Sequence, residues 1–177
     1  LNSLDSIINN AQGSDLIVSS GGASVGDYDL VQIALNNINF KLDFWKISMR
    51  PGKPLFFGNL GKIPFLGLPG NPVSTGICSI VFLQSIIKKF LGQKIQNDII
   101  YLPVGSELKE NDHRQDYLRA RYSKDKDNNI IVIPFNSQDS GQLSIFSKAE
   151  CFIIRFPNQK SSKSGEIVPV LKIPNLI

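Results

Sequence analysis

The sequence contains few residues of the kinds that build metal centres and disulfide frameworks. Of its 177 residues, two are cysteine and one is histidine. Cys78 and Cys151 are far apart and neither belongs to a CxxC pair, which excludes a disulfide scaffold and disfavours a zinc site. A lone histidine, His113, cannot form a histidine-based metal centre. We expect both cysteines to be buried apolar side chains and His113 to lie in an exposed loop.

The sequence also lacks a long run of charges of one sign and a long uninterrupted apolar run. The formal net charge is +4, and the basic residues are scattered. This pattern suits the binding of small anions better than the binding of a nucleic-acid duplex. RNA binding is an alternative with weak support. The longest apolar stretch, residues 73–87, contains polar side chains, whereas a membrane span needs about 20 apolar residues. We therefore expect a cytoplasmic protein that binds neither nucleic acid nor membrane.

Hydrophobic residues make up 42% of the chain, which is enough for a packed core. In the first half, short apolar runs alternate with loops and helical patterns, predicting an α/β domain with a parallel sheet. Asn71 is a good helix N-cap, Pro72 suits the first helical position, and Gly92 ends the helix. The predicted elements are helices at 4–11, from 27 and at 73–91, and strands at 16–18, 44–48 and 63–68. The first of these strands is expected to be buried on both faces.

The pattern changes near residue 97, where helical periodicity gives way to short strand candidates. Several short strands separated by polar turns predict a small antiparallel sandwich or barrel. The candidates are residues 99–102, 117–122, 130–134, 151–155 and 167–173. We therefore predict two domains, residues 1–95 and 96–177.

Three loops of the first domain have features suited to binding an anion. Ser20-Gly21-Gly22 follows a strand, and glycines let backbone N–H groups approach an anion closely. Pro69-Gly70-Asn71-Pro72 precedes a helix whose first amides lack partners within the helix. The third loop carries Arg50 and Lys53 around a Pro-Gly turn, with Lys46 just before it. Each loop alone is more often only a turn or a cap, but the three together favour an anion site.

Other charged residues allow two interpretations each. Asp27 and Asp29 follow the first glycine loop. Carboxylates there either interact favourably with the positive end of a helix dipole or hold a hydrated Mg²⁺. Arg119 and Arg121 alternate along a predicted strand and share a face, which is most often a solvated one. The small-residue loop beginning at Ser140 is unremarkable by itself.

Three stretches together resemble one family. Residues 20–29 (SGGASVGDYD), 49–54 (MRPGKP) and 67–74 (GLPGNPVS) occur in the order and at the separations of the signature stretches of MoeA-type molybdopterin molybdenumtransferases, a family that includes gephyrin. The resemblance implies a MoaB/MogA-like domain followed by a barrel-like β domain. It also implies insertion of molybdate into adenylylated molybdopterin with Mg²⁺, releasing AMP and forming molybdenum cofactor.

The resemblance assigns roles to particular positions. Asp29 matches an acidic position that helps with the metal or the pyrophosphate, and Lys46, Arg50 and Lys53 match basic positions near the phosphates and molybdate. Arg50 stands where many relatives have lysine, and Arg121 has no match. The implied substrate-binding residues are Ser20, Gly21, Gly22, Ser24, Gly70, Asn71, Pro72 and Ser74 for the pterin nucleotide, and Arg119 and Ser140 for molybdate.

The sequence departs from the family in one respect. A strand and a Thr-Gly-Asp-Glu loop that normally open the α/β domain are absent, as are two upstream domains, so we expect a C-terminal fragment that is not active alone. The resemblance further implies a homodimer and a molybdopterin adenylyltransferase as partner. The alternative is a molybdopterin-binding or gephyrin-like scaffold module without turnover.

Overall fold

The computed structural model describes residues 11, 13–21, 40–95 and 99–174. Gly22, Ser24 and Asp29 lie outside the described residues, as does the helix predicted from residue 27 and nearly all of the one predicted at 4–11. The chain divides into two compact units, Leu1–Ile47 with Gly52–Ser79, and Ser48–Pro51 with Ile80–Ile177. The domain boundary near residue 95 stays a prediction.

The sheet of the first unit is mixed. Its strands are β1 (Ile17–Ser20), β2 (Phe40–Trp45), β4 (Phe56–Leu60) and β5 (Ile63–Leu68), in the order β1-β5-β4-β2. Among the described strands of this unit, only β1 and β5 pair in parallel, whereas β4 is antiparallel to both of its neighbours. The prediction of a parallel sheet was therefore wrong for this part, because a two-residue turn links β4 to β5 and parallel strands need a long crossover.

Strand β1 is less buried than the sequence predicted. It alternates half-buried with exposed residues, and Val18 is 42% exposed. In the described part of the sheet, β1 pairs with β5 alone, so no described strand lies along its other edge. A short apolar run does not reveal this difference between a central and an edge strand.

The core of the first unit is aromatic and depends on a glycine. Phe56 and Phe65 are buried and stack with ring centroids 5.7 Å apart, and Phe40 meets both rings edge-on. Gly67 lies opposite Phe56 in the neighbouring strand, and a Cβ atom there would lie 1.9 Å from the Phe56 ring. The ring thus occupies the space that a side chain at position 67 would need.

We therefore expect Gly67→Ala to destabilise the first unit by about 2 kcal/mol through overpacking. Thermal unfolding followed by the fluorescence of Trp45, the one tryptophan of the chain, measures this loss. Gly141→Ala is the control, because a Cβ atom there meets its nearest neighbour at 3.3 Å in an exposed loop. Equal stability of the Gly67→Ala variant and the wild type would show that the ring is free to move aside.

The long helix is continuous but changes its winding. Helix α1 (Pro72–Cys78) is followed by a π-helical turn (Ser79–Leu83) and by α2 (Gln84–Phe90). Its first part is buried through residues such as Ile77, whereas no residue of α2 is fully buried. By length and composition alone, the 19 residues could cross a membrane, which corrects our expectation; 22% of that segment is buried within the protein, and core helices of soluble proteins pass the same test.

Besides the end of the long helix, the described part of the second unit contains a second sheet and one short helix. Its elements are β3 (Met49–Arg50), β6 (Ile99–Pro103), β7 (Gln115–Lys124), β8 (Ile130–Pro134), α3 (Leu143–Phe146), β9 (Cys151–Arg155) and β10 (Ile167–Lys172). The sheet order is β3-β7-β9-β10-β6, with β8 pairing with β7, and all of these pairs except β3–β7 are antiparallel. An isolated bridge joins Val104, after β6, to Val132 in β8. The strand predictions are confirmed to within a few residues, while α3 was not anticipated.

Candidate functional site

Two of the predicted loops meet at one edge of the first sheet. Strands β1 and β5 run in parallel and end together, so Gly21 follows β1 where Pro69 and Gly70 follow β5. The Gly21 N–H donates to the Leu68 carbonyl at 3.3 Å, and a Cβ atom on Gly70 would lie 3.4 Å from the Gly21 Cα. Gly21 has a φ of +91°, which is a conformation that favours glycine. The edge therefore presents two closely apposed backbone turns.

The helix start predicted at Asn71 is confirmed. The Asn71 Oδ1 atom accepts from the Ser74 backbone N–H at 3.0 Å and from the Ser74 hydroxyl at 3.3 Å, and Pro72 occupies the first turn. Because the cap already satisfies one free amide of the helix, fewer amides remain for an anion than the sequence alone suggests.

Asn71→Ala should lower the stability of the first unit by about 1 kcal/mol, because the cap bond to Ser74 is lost. Asn71→Ser keeps a capping oxygen and should retain most of that stability. Trp45 fluorescence during denaturation reports both variants. If Asn71→Ala and Asn71→Ser destabilised the unit equally, the Asn71 side chain would not stabilise it by capping the helix.

The two lysines that the sequence assigned to the site, Lys46 and Lys53, lie between β2 and β4. Strand register aligns Trp45 with Phe56, Gly67 and Ser19, so Lys46 follows β2 at the same edge as the two backbone turns. Lys46 has a φ of +63°, uncommon for a residue with a side chain, and its Nζ atom lies 3.6 Å from the centroid of the Trp45 ring. The backbone of Lys53 accepts from Ile47 N–H at 3.0 Å, and its side chain is exposed.

Arg50 belongs to the second unit and is not a free cation. Its guanidinium donates from Nε and Nη2 to Asp116, from Nη1 to Asp112 at 3.2 Å, and from Nη2 to Asn111 at 3.3 Å. Four of its five side-chain N–H groups are thus engaged. The sequence placed Arg50 beside an oxyanion without foreseeing these carboxylates, because they lie more than 60 residues away along the chain.

Asp112 is shared between two arginines. It accepts from the Arg114 guanidinium at 2.8 Å and from its backbone N–H at 2.9 Å, in addition to Arg50. These bonds to Arg114, aided by the charge of Arg50, hold the pKa of the Asp112 carboxyl well below its usual range. Asp112 is therefore ionised at neutral pH.

Arg119 is buried, unlike the solvated residue that its strand pattern suggested. It is 1% exposed, whereas Arg121 is exposed. Its Nε donates to Gln138 at 3.3 Å and its Nη1 to the Asp139 carbonyl at 3.1 Å, and Gln138 returns a bond to the Arg119 carbonyl at 3.0 Å. Burial lowers the pKa of Arg119, and the charge of Asp139 opposes this effect.

The loop containing Ser140 lies against Arg119. Asp139 supplies the carbonyl that Arg119 contacts, and its carboxylate accepts from the Gly141 N–H at 2.8 Å. The two positions that the sequence assigned to molybdate in the second domain are thus neighbours. Sequence reasoning missed Gln138, which fixes Arg119 from 19 residues away.

A cavity of about 440 Å³ in the second unit has Arg50 and Gln138 among its lining residues. Asp116 and Arg155 also line it, and they face each other in the β7–β9 ladder. Arg155 is 2% exposed and donates to Ser162 at 2.8 Å and to the Lys109 carbonyl at 3.0 Å. This buried arginine fixes the loops around the cavity and gave no signal in the sequence beyond a charge at the end of an apolar strand.

The described residues do not by themselves form a cluster of metal ligands. Asp29 lies outside them, and no three His, Cys, Asp or Glu side chains within residues 13–21, 40–95 and 99–174 lie close enough together to hold a metal. Both cysteines are buried as predicted, and burial raises the pKa of each thiol to about 12. Neither is therefore a thiolate near neutral pH.

Two sequence regions match known families. A model described as a probable molybdopterin binding domain matches residues 2–89, and one described as the MoeA C-terminal region, domain IV, matches residues 101–173. The solved structure of a molybdopterin biosynthesis MoeA protein from Pyrococcus horikoshii has a TM-score of 0.75 and 24% identity, covering 98% of this chain and 41% of that chain. At this identity the likeness shows the fold alone.

Two relatives share the name molybdopterin molybdenumtransferase. The protein from Haemophilus influenzae is 34% identical over 165 residues, covering 92% of this chain and 41% of its own length. The protein from Nostoc sp. is 30% identical over 165 residues, covering 90% of this chain and 38% of its own length. The chain spans about two fifths of the length of these curated relatives. Because the two matched regions together cover most of its residues, the chain belongs to the MoeA family.

Proposed function

We propose that the protein containing this chain acts in molybdenum cofactor biosynthesis, as a molybdopterin molybdenumtransferase that inserts molybdate into adenylylated molybdopterin and releases AMP. The names of the relatives from Haemophilus influenzae and Nostoc sp. support this proposal. The chain supplies part of the site, and residues 1–95 and 96–177 are its two domains. The matched regions, residues 2–89 and 101–173, support that division.

The observation that carries the proposal is the bonding of Arg119. Only its Nε and one Nη1 N–H have partners among the described residues, which leaves three N–H groups on the guanidinium. Nη2 is not among the buried unpaired atoms of the described residues, so solvent or a ligand can reach it, and a tetrahedral oxyanion suits a guanidinium fork. Arg119 and the loop of Ser140 are thus the proposed molybdate-binding groups of the second domain.

The other positions receive roles by family resemblance. The basic residues would neutralise charge on molybdate and on the phosphates; they are Lys46, Arg50 and Lys53. Positive groups held in place are most effective in sites from which water is largely excluded. The positive φ of Lys46 is the kind of backbone strain that accumulates at functional sites. The residues proposed to bind the pterin nucleotide are Ser20, Gly21, Gly22, Ser24, Gly70, Asn71, Pro72 and Ser74.

Further parts of the proposal rest on the resemblance alone. They are binding of Mg²⁺ with the help of Asp29, a homodimer, a molybdopterin adenylyltransferase as partner, and a cytoplasmic location. We also propose that the second domain closes as a barrel, for which the Val104–Val132 bridge is the support.

The test is a turnover assay on the full-length protein that contains this chain. With adenylylated molybdopterin, molybdate and Mg²⁺, we expect AMP release that depends on molybdate and is lost on Arg119→Ala, while Arg121→Ala remains active. Capture of a partner peptide with no AMP release under any condition would instead support a gephyrin-like scaffold.

A further inference from the structure

The partners of Arg50 divide its guanidinium into two parts. Nε and Nη2 face Asp116, and Nη2 also donates to Asn111, while Nη1 donates to Asp112. One Nη1 N–H is the single donor of Arg50 that has no partner in the described part of the chain. An oxyanion can therefore reach two donors of Arg50 only if one present partner moves away.

The three partners differ in how firmly they are held. Asp116 is 5% exposed, and Asn111 is 7% exposed with its amide donating to the carbonyls of Arg114, Arg155 and Phe156. Asn111 cannot move without breaking these bonds. Asp116 bonds through Oδ2 to Arg50, and its Oδ1 is buried without a partner in the described part of the chain, so leaving Arg50 would strand a buried carboxylate. The Asp112 side chain is 39% exposed and has a second partner, the guanidinium of Arg114, at 2.8 Å. It can leave Arg50 and remain paired.

We propose that Asp112 is an exchangeable partner of Arg50: it moves away when an oxyanion arrives, and the Nη1 N–H groups of Arg50 then bind the oxyanion. Asp116 is a positioning residue that keeps Nε and Nη2 of the same guanidinium in place. The proposal rests on the proposed oxyanion-binding role of Arg50. It requires the two aspartates to act in opposite directions, although both carry the same charge and contact the same arginine.

Calorimetric titration of the full-length protein that contains this chain with molybdate tests this difference in sign. Asp112→Asn should tighten binding about threefold, since an exposed ion pair that competes with the ligand is removed. Asp116→Asn should weaken it about tenfold, since Nε and Nη2 lose their charged partner. Glu110→Gln is the matched control. Glu110 lines the cavity of about 440 Å³ that Arg50 also lines, but it is not a partner of Arg50. Removing its charge should leave the affinity for molybdate within about twofold of the wild type.

The outcomes separate the two levels of the proposal. If Arg50→Ala binds molybdate as the wild type does, the oxyanion role of Arg50 fails, and the exchange with it. If Arg50→Ala weakens binding but Asp112→Asn does not tighten it, or tightens it no more than Glu110→Gln, only the exchange is overturned. Should Asp116→Asn fail to fold by circular dichroism, the comparison of Asp112→Asn with Glu110→Gln decides alone.

Discussion

Replacing Arg119 with alanine is expected to weaken molybdate binding by more than about 100-fold. Each hydrogen bond from a guanidinium to an anion contributes about 1.5–3 kcal/mol, and three N–H groups of Arg119 have no partner among the described residues. The alanine variant also leaves the Asp139 carbonyl without its donor, whereas the Gln138 oxygen keeps the bond from the backbone N–H of residue 119. Calorimetric titration with molybdate measures the loss.

Two further variants separate charge from geometry. Arg119→Lys keeps the charge without the planar fork and should bind about tenfold more weakly than wild type. Arg121→Ala removes an exposed arginine from the same strand and should bind as the wild type does. Equal losses for Arg119→Ala and Arg121→Ala would mean that only the overall charge matters.

Replacing Arg155 with alanine is expected to destabilise the second unit by about 3 kcal/mol. The Arg155 guanidinium is buried and donates to the Ser162 hydroxyl and to the carbonyls of Lys109 and Lys160. Removing it leaves these acceptors unpaired, and also leaves the buried Asp116 without the neighbouring positive charge that it faces in the β7–β9 ladder. Chemical denaturation followed by circular dichroism gives the free energy of unfolding.

The control for this variant uses a residue that contributes only its backbone. Lys160 offers its carbonyl to Arg155, while its side chain is exposed, so Lys160→Ala should change the free energy of unfolding by less than about 0.5 kcal/mol. An Arg155→Ala variant as stable as Lys160→Ala would contradict the clamping role of the guanidinium.

Local features of the fold were predictable from the sequence. The Asn71 cap, the end of the helix near Gly92 and the strands β8 and β9 follow from neighbouring residues, and the structure confirms them. The direction of β4 relative to its neighbours was not predictable, because an apolar run carries no information about its partner strand. The exposure of β1 depends on which strands flank it, which is equally a property of the assembled sheet.

The candidate site was predictable by residue type but not by environment. The positions of Arg50 and Arg119 were identified from the resemblance, yet their opposite situations follow from long-range contacts. Arg50 meets carboxylates more than 60 residues away, and Arg119 is enclosed by Gln138. Alternation along a strand predicted a shared face for Arg119 and Arg121, but not that a loop would cover only one of them.

The proposed function depends most on an oxyanion that binds beside Arg119. A crystal of the chain soaked in tungstate, a heavy analogue of molybdate, would locate that anion by its anomalous scattering. We predict a peak within hydrogen-bond distance, about 3 Å, of the Arg119 guanidinium nitrogens and next to the Ser140 loop. Ordered tungstate elsewhere on the chain, with none beside Arg119, would contradict the account.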